Sequence, residues 1–461
     1  MRSKDKGYGG GILKKRGHRF PADFLWGVST ASYQIEGGVH EGGRGETIWD
    51  RFCHIPGKMT NADTGDIACG SYYRTQEDVE ILKDLGVKAY RFSIAWARII
   101  PDGFGAVSEE GLAYYEELVD TLLENGIEPF VTLYHWDLPQ KVQDRGGWTN
   151  RETAFAFTKM CRILFERFGE KVKHYITINE PWVVCFEGYY TGNMAPGLTD
   201  FSAALQAAHH ILFAHGLTVE AYRNTGLAGE IGITLNLCPK EPLTRSEADR
   251  EAAMRFDGYA NRWFLDPLFK CCYPQDLADW YKNRGVVLPY AEDGDMEVIS
   301  REIDFLGVNY YNIDFTAAAE GPWPLEFRTG FFGGYPTTHY GWPVTPHGIR
   351  LILTRISEDY HPKKLYITEN GASYTDRMGE DGRIRDDERI TYIERHLEEC
   401  ANALRCGVPL AGYFVWSFMD NFEWNTGFEN KFGLVHVDRA TLVRTRKSSF
   451  YWYRDMIGRG L

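Results

Sequence analysis

From Phe20 onward the chain alternates two kinds of segment. Short runs of β-branched and aromatic residues read as strands at 24–28, 89–95, 129–134, 174–179, 231–236, 304–310, 364–368 and 411–416. Between them lie longer segments whose apolar residues recur three and four apart: 74–85, 108–125, 151–168, 201–225, 246–265, 346–359 and 387–406. Gly86, Gly126 and Gly226 each follow such a run, where a helix end favours a residue that accepts a left-handed backbone. Eight strands alternating with helices predict parallel β–α units joined by right-handed crossovers. Eight units close into a single (β/α)8 TIM barrel, an α/β fold that accommodates 461 residues if its βα loops are long. The alternative is an open doubly wound sheet, which calls for a Gly-rich phosphate turn after the first strand. The dense glycine cluster at 7–11 precedes every strand instead. No Pro-, Ser- or Gly-rich linker divides the chain. Residues 18–461 therefore read as one catalytic barrel and 1–17 as a flexible N-terminal tail.

Composition narrows the function classes. With 44% hydrophobic and 25% charged residues, a large core is expected and global disorder is excluded. The 51 Lys+Arg against 64 Asp+Glu give a net charge of −13, which disfavours nucleic acid and anionic membranes as partners. Aromatics reach 15%, with 13 Trp, which suits either an aromatic core or flat stacking surfaces in a cleft for a sugar or a base. The nine cysteines include no CxxC spacing, so zinc-ribbon and thioredoxin readings have no support. The odd cysteine count, the glycines where a signal peptide needs an apolar run, and the lack of any Asn-x-Ser/Thr point to a cytoplasmic protein with free thiols.

Barrel enzymes carry their chemistry at the C-terminal ends of the strands. The fourth predicted strand ends ITINEP, with Asn179 and Glu180; the seventh ends YITENG, with Glu369 and Asn370. A lone strand-end carboxylate is ordinarily a helix cap or an ion pair. Two at matching positions, three strands apart, could face each other across the barrel mouth, as glycosidic cleavage requires. Arg91, in YRFSIAW, is a charge inside an apolar strand, which costs on the order of several kcal/mol unless paired. It reads as a structural ion pair or as the partner that keeps Glu369 ionised. The third strand ends in YHWDLP with His135 and Trp136, and the sixth in Asn309, Tyr310 and Tyr311. The eighth brings Trp416, then Glu423 and Trp424, and Gln34 follows the first. Stacking faces beside bidentate hydrogen-bonding groups suit a pyranose.

These segments resemble glycoside hydrolase family one, the β-glucosidase and β-galactosidase family. The resemblance covers essentially all of 18–457 and rests on FLWGVSTASYQIEG, YRFSIAW, YHWDLP, the NEP and TENG segments and NFEW, all in order at strand ends. It implies that Glu180 is the acid/base and Glu369 the nucleophile. Arg91 and Tyr311 would steady that nucleophile, with Asn309 as further support. Asn179 would bond the sugar 2-hydroxyl, and Gln34, His135, Trp136, Trp416, Glu423 and Trp424 would form the glycone subsite. Trp342, in GWPVTPHG, would be the aglycone platform. The implied reaction is retaining hydrolysis of terminal β-glucosyl residues from β-glucosides and cello-oligosaccharides, with galactosyl or fucosyl residues also in range. A retaining pair sits roughly 5–5.5 Å apart. No cofactor and no metal is implied; the partner is a small carbohydrate, and a homo-oligomer is left open.

Three alternatives compete. A 6-phospho-β-glucosidase would lack Glu423, because a carboxylate there repels a 6-phosphate. Lys431 in NKFGLV is the nearby cation, and it also occurs in members that take unphosphorylated sugars. A non-hydrolytic sugar-binding barrel would have lost one of the two carboxylates. A metal-dependent hydrolase would draw on His209, His210 and His215, but offsets of five and six do not share a helix face as i,i+4 does, so they read as packing residues.

Overall fold

The structure is a computed structural model that describes residues 20–330 and 334–459, so the tail expected at 1–17 lies outside the described residues. Eight parallel strands close into a barrel: β1 Leu25–Ser29, β2 Ala89–Ser93, β3 Glu128–Thr132, β4 His174–Asn179, β5 Glu230–Asn236, β6 Phe305–Asn309, β7 Leu365–Asn370 and β8 Leu410–Trp416. Each strand pairs with its neighbours in sequence, and β8 closes on β1. The open doubly wound sheet is thereby excluded.

The barrel interior is layered by the two-residue period of its strands. At the lower end Ala89, Phe130, Ile176, Phe305, Tyr366 and Phe414 form an apolar cluster of their own. Two residues further along, the same inward face turns polar: Arg91, Thr132 and Thr368 are fully buried. Gly307 belongs to this level because a Cβ there would stand 2.2 Å from Thr234 Oγ1. The polar level is the floor of the cleft at the strands' C-terminal ends. A second, larger core lies between the strands and the surrounding helices.

The helices run close to the expected spans, with one correction. The segment expected as one helix over 246–265 is three pieces: Glu247–Asp257, a π-turn Gly258–Arg262, and Trp263–Lys270. Within the wide turn Asn261 Nδ2 donates to Asp257 Oδ1 at 2.7 Å and to Cys238 O at 2.9 Å, tying the turn to the loop after β5. Two features lie outside the expected elements. The loops after β5 and β6 pair Lys240–Pro242 in parallel with Asp314–Ala318, which also pairs antiparallel with Phe327–Gly330. A final helix, Ser448–Gly458, packs between the outer helices Asp387–Arg405 and Thr75–Leu85, with Tyr453 donating to Gly27 O at 3.1 Å. No helix of the described residues is long and apolar enough to cross a membrane.

Candidate active site

The carboxylates arrive on irregular strands. The pairing register slips in β4 between Ile176 and Asn179, and in β7 between Ile367 and Glu369. A bulge rotates the residues beyond it, which turns a strand end from the wall toward the cleft. Glu180 then takes a left-handed backbone, φ 48°, as do Trp136 at 80° and Trp424 at 47°. Three bulky residues in that region at one site is strain held by the surroundings. Glu180 N is fixed by Thr234 O at 2.9 Å, and Tyr310 N by Glu369 O at 3.0 Å.

One hydrogen-bond chain joins the two acids. Arg91 Nη1 donates to Glu369 Oε1 at 2.5 Å, and Nη2 to Asn179 Oδ1 at 2.5 Å. Arg91 Nε reaches Thr132 Oγ1 at 3.1 Å, so this fully buried guanidinium is well supplied with acceptors. Tyr311 donates to Glu369 Oε2 at 2.7 Å. Asn309 Nδ2 bridges Asn179 Oδ1 at 3.1 Å and Glu180 Oε1 at 2.5 Å, while Thr368 fixes its Oδ1 at 2.7 Å. Glu369 thus bonds to a cation and a phenol, whereas the hydrogen-bond partner of Glu180 is a neutral amide.

The electrostatics follow from those partners. Burial, then the Glu369 charge, pushes Glu180 up to about 8, against a smaller pull from Asn309. Burial also raises Glu369, but Arg91, Tyr311 and Asn309 draw it back toward ionisation. Glu423 is pushed up to about 8 by burial and by Glu369, with Trp416 and Gln34 bonding against that rise. His135 is held well below its ordinary value by burial and by Arg91, so it stays neutral. Asn179 Oδ1 is taken by Arg91 and Asn309, so its Nδ2 faces His135 Nε2 at 3.0 Å. That leaves His135 Nε2 the acceptor and Nδ1 the protonated nitrogen, and Nδ1 has no protein partner. Gln34 Oε1 is likewise buried without one, while its Nε2 donates to Phe422 O at 2.8 Å and Asn421 Oδ1 at 3.1 Å. Unpaired buried polar atoms beside a cleft are places for a hydroxylated ligand.

The cleft has a volume of about 490 Å³. Glu180, Glu369, Asn309, Tyr311, His135, Trp136, Trp342, Trp416, Glu423 and Trp424 line it. Gln34, Arg91 and Asn179 stand one layer behind, bonded to lining groups. Trp424 packs on Trp136 with centroids 4.4 Å apart, and Trp342 packs on Tyr311 at 5.1 Å. Trp136 spends its indole N–H on Asn179 O at 2.9 Å, leaving it a ring surface only. Glu423 lines the cleft and Lys431 is not among the lining residues.

Two groups sit away from this cleft. His209, His210 and His215 point to different partners, Asp295, Trp148 O and Thr177, as packing residues do. Asp376, Asp420 and His436 each bring one donor atom within 4.8 Å of the others, a spacing a metal ion could span. Lys447 Nζ, however, lies 2.8 and 2.7 Å from the two carboxylates, so an ammonium holds the cation's place. Sequence reasoning passed over the outer cleft: Lys240, Asn312, Asp314 and Tyr340 also line it. Lys240 is signalled by the polar end of the fifth strand, LNLCPK, whereas Asn312 and Asp314 follow the sixth strand in NYYNID and Tyr340 sits in a loop with no strand-end signal.

The chain matches the model of Glycosyl hydrolase family 1 over residues 16–460. It is 46% identical to β-glucosidase A of Thermotoga maritima over 444 residues, covering 95% of this chain and 98% of that one. It is 46% identical over 442 residues to the 1,4-β-D-glucan glucohydrolase of Thermotoga neapolitana, again 95% and 98% of the two chains. The solved T. maritima β-glucosidase in complex with deoxynojirimycin superposes with a TM-score of 0.93 at 45% identity, over 96% and 99% of the two chains.

Proposed function

Because the chain belongs to glycosyl hydrolase family 1, we propose that it is a retaining β-glucosidase that releases terminal β-D-glucosyl residues from β-glucosides and cello-oligosaccharides. The observation that carries the reading is a pair of buried carboxyl groups, joined by one hydrogen-bond chain, whose surroundings differ in kind. Arg91 and Tyr311 favour an ionised Glu369; burial and the neighbouring charge favour a protonated Glu180. In the proposed mechanism Glu369 attacks the anomeric carbon. The bond to the leaving oxygen breaks as Glu180 passes its proton to that oxygen. Glu180, now a carboxylate, takes a proton from water, whose oxygen displaces Glu369 from the sugar. Trp416 and Trp424 supply ring faces, and Gln34, His135 and Glu423 supply hydroxyl partners.

Residues 18–461 serve as one catalytic unit, a reading supported by the single closed barrel. The nine free cysteines support a reducing, cytoplasmic setting. The test is the stereochemistry of the first product. During hydrolysis of a β-glucoside, NMR should record β-glucose before mutarotation. An initial α-anomer would mean inversion and would remove the nucleophile's role from Glu369.

A further inference from the structure

The outer half of the cleft takes part of its wall from the three-stranded sheet on the loops after β5 and β6. There Lys240 and Asp314 are directly opposite each other on parallel strands, Nζ to Oδ2 at 2.5 Å. Cys238 Sγ lies 3.3 Å from the same oxygen, and Asn312 Nδ2 donates to Oδ1 at 3.1 Å. The ammonium of Lys240 sits 4.0 Å over the ring of Phe256. Its side chain is 6% exposed, and that of Asp314 is 27% exposed.

The pair is an odd choice for holding the sheet. Backbone pairing already fixes Lys240–Pro242 to Asp314–Ala318. Withdrawing two charges from water costs more than an apolar pair of the same size would. The same arrangement suits a hydroxylated ligand. A carboxylate offers about four lone-pair sites. Lys240, Cys238 and Asn312 reach Asp314, and Oδ1, bonded to Asn312 alone among these, keeps capacity toward the cleft. Lys240 spends N–H groups on Asp314 and on Cys238 Sγ at 3.1 Å, and an ammonium carries three. On another wall Glu187 is held by Thr191 at 2.9 Å and Asn193 at 3.0 Å, and both Glu187 and Asn193 line the cleft. Trp342 offers a ring face in the same cleft, braced by Tyr340 at 4.3 Å between centroids. An aromatic face flanked by charged and amide groups matches a pyranose, with its apolar face and rim of hydroxyls. An alkyl or aryl leaving group would strip water from those polar groups and return no hydrogen bond.

We infer that Lys240, Asp314 and Asn312 form a recognition site for the hydroxyls of a sugar on the leaving-group side of the scissile bond, which makes glucosides of saccharides the preferred substrate class. This inference rests on the β-glucosidase reading. Its test compares kcat/KM for cellobiose and for p-nitrophenyl β-glucoside in the wild type and in a Lys240→Met, Asp314→Leu double variant, which exchanges the charges for apolar groups of similar size. Cellobiose should lose ~10-fold or more, chiefly through KM, while the aryl glucoside stays within about 2-fold, because only the sugar leaving group loses hydrogen bonds. An unchanged ratio between the substrates overturns the inference. A parallel loss on both does so too, since it would make the pair a scaffold element. Should the double variant fail to fold, Asp314→Asn preserves shape and removes the charge; it should lower cellobiose selectively by about 3-fold or more, and no selective loss refutes the site. A wild type inactive on both substrates would instead sink the β-glucosidase reading itself.

Discussion

At the scale of single residues, the site separates two acids by their partners. Glu369 meets Arg91 at 2.5 Å and Tyr311 at 2.7 Å; Glu180 meets Asn309 at 2.5 Å. The two therefore fail differently when removed. Glu369→Gly should lower kcat by ~10⁴-fold or more on every substrate, because no other group there can form the covalent bond. Glu180→Ala should spare aryl glucosides with good leaving groups in the first step, since these need little proton assistance. It should still slow release of the glycosyl-enzyme, visible as a burst. Equal losses on good and poor leaving groups in Glu180→Ala would refute the acid assignment. The proton on Glu180 also sets an alkaline limit. Its folded-state value is raised to about 8, so the acid is present below that pH and is lost as pH rises through it. The kcat/KM profile should fall on the alkaline side near 8. Glu369→Gln removes the neighbouring charge, so direct titration of Glu180 by NMR should find its value lower than in the wild type. An unchanged value would mean burial alone holds the proton. Both acids, Arg91 and the Trp416–Trp424 segment were legible from chain position, because barrel chemistry gathers at strand ends. What was not legible was contact. No spacing announces that Asn309 spans Asn179 and Glu180, since that bridge depends on strands far apart in sequence.

At the scale of elements, periodicity located the strands and most helices, and it missed what breaks period. The slips in β4 and β7 add local irregularity where the carboxylates emerge, and an apolar run reads the same with or without a bulge. The π-turn at Gly258–Arg262 keeps helical spacing on both sides, so 246–265 reads as continuous. Two of the three strands in the sheet beside the cleft, Lys240–Pro242 and Phe327–Gly330, are too short to carry a pattern. One contact between elements makes a sharp test. Gly371 directly follows Asn370 at the end of β7, and a Cβ there would stand 1.7 Å from Trp416 O at the end of β8. Backbone cannot yield as a flexible side chain can, so Gly371→Ala must push the ends of β7 and β8 apart. Those ends hold Glu369 and Trp416. Activity should fall by ~10²-fold, the scale of a displacement near 1 Å at reacting groups, while far-UV circular dichroism stays native. Gly382→Ala is the control. Its φ is 72°, yet nothing lies within 4 Å of the added Cβ. It should cost about 1 kcal/mol of stability from left-handed strain and leave kcat unchanged. Comparable activity in both variants would mean that the β7–β8 contact does not position the site.

At the scale of the whole molecule, the cysteines form a set of internal reporters. Cys53, Cys69, Cys161, Cys185 and Cys400 are buried, Cys238 is half-buried, and Cys271, Cys272 and Cys406 are exposed. All are free thiols, including Cys400 and Cys406, whose offset of six puts them on different faces of the helix Asp387–Arg405 and its cap. The buried ones are chemically silent for a stated reason. Burial pushes Cys53 and Cys69 up to about 12 and raises Cys161, Cys185 and Cys400 as well, so almost none of their thiolate exists near neutral pH. A disulfide-exchange reagent should therefore label Cys271, Cys272 and Cys406 quickly in the native protein and the buried five only on unfolding. A reductant should leave Tm within ~2 °C, since loss of a structural disulfide typically costs 2–5 kcal/mol. The buried thiols run from the loop after β1 to the helix before β8, and all five belong to one continuous apolar core. In a denaturant series the five should consequently become reactive together, at the midpoint seen by tryptophan fluorescence. Release in two separated steps, with Cys53 and Cys69 apart from Cys400, would divide the barrel into independently unfolding parts and contradict a single catalytic unit.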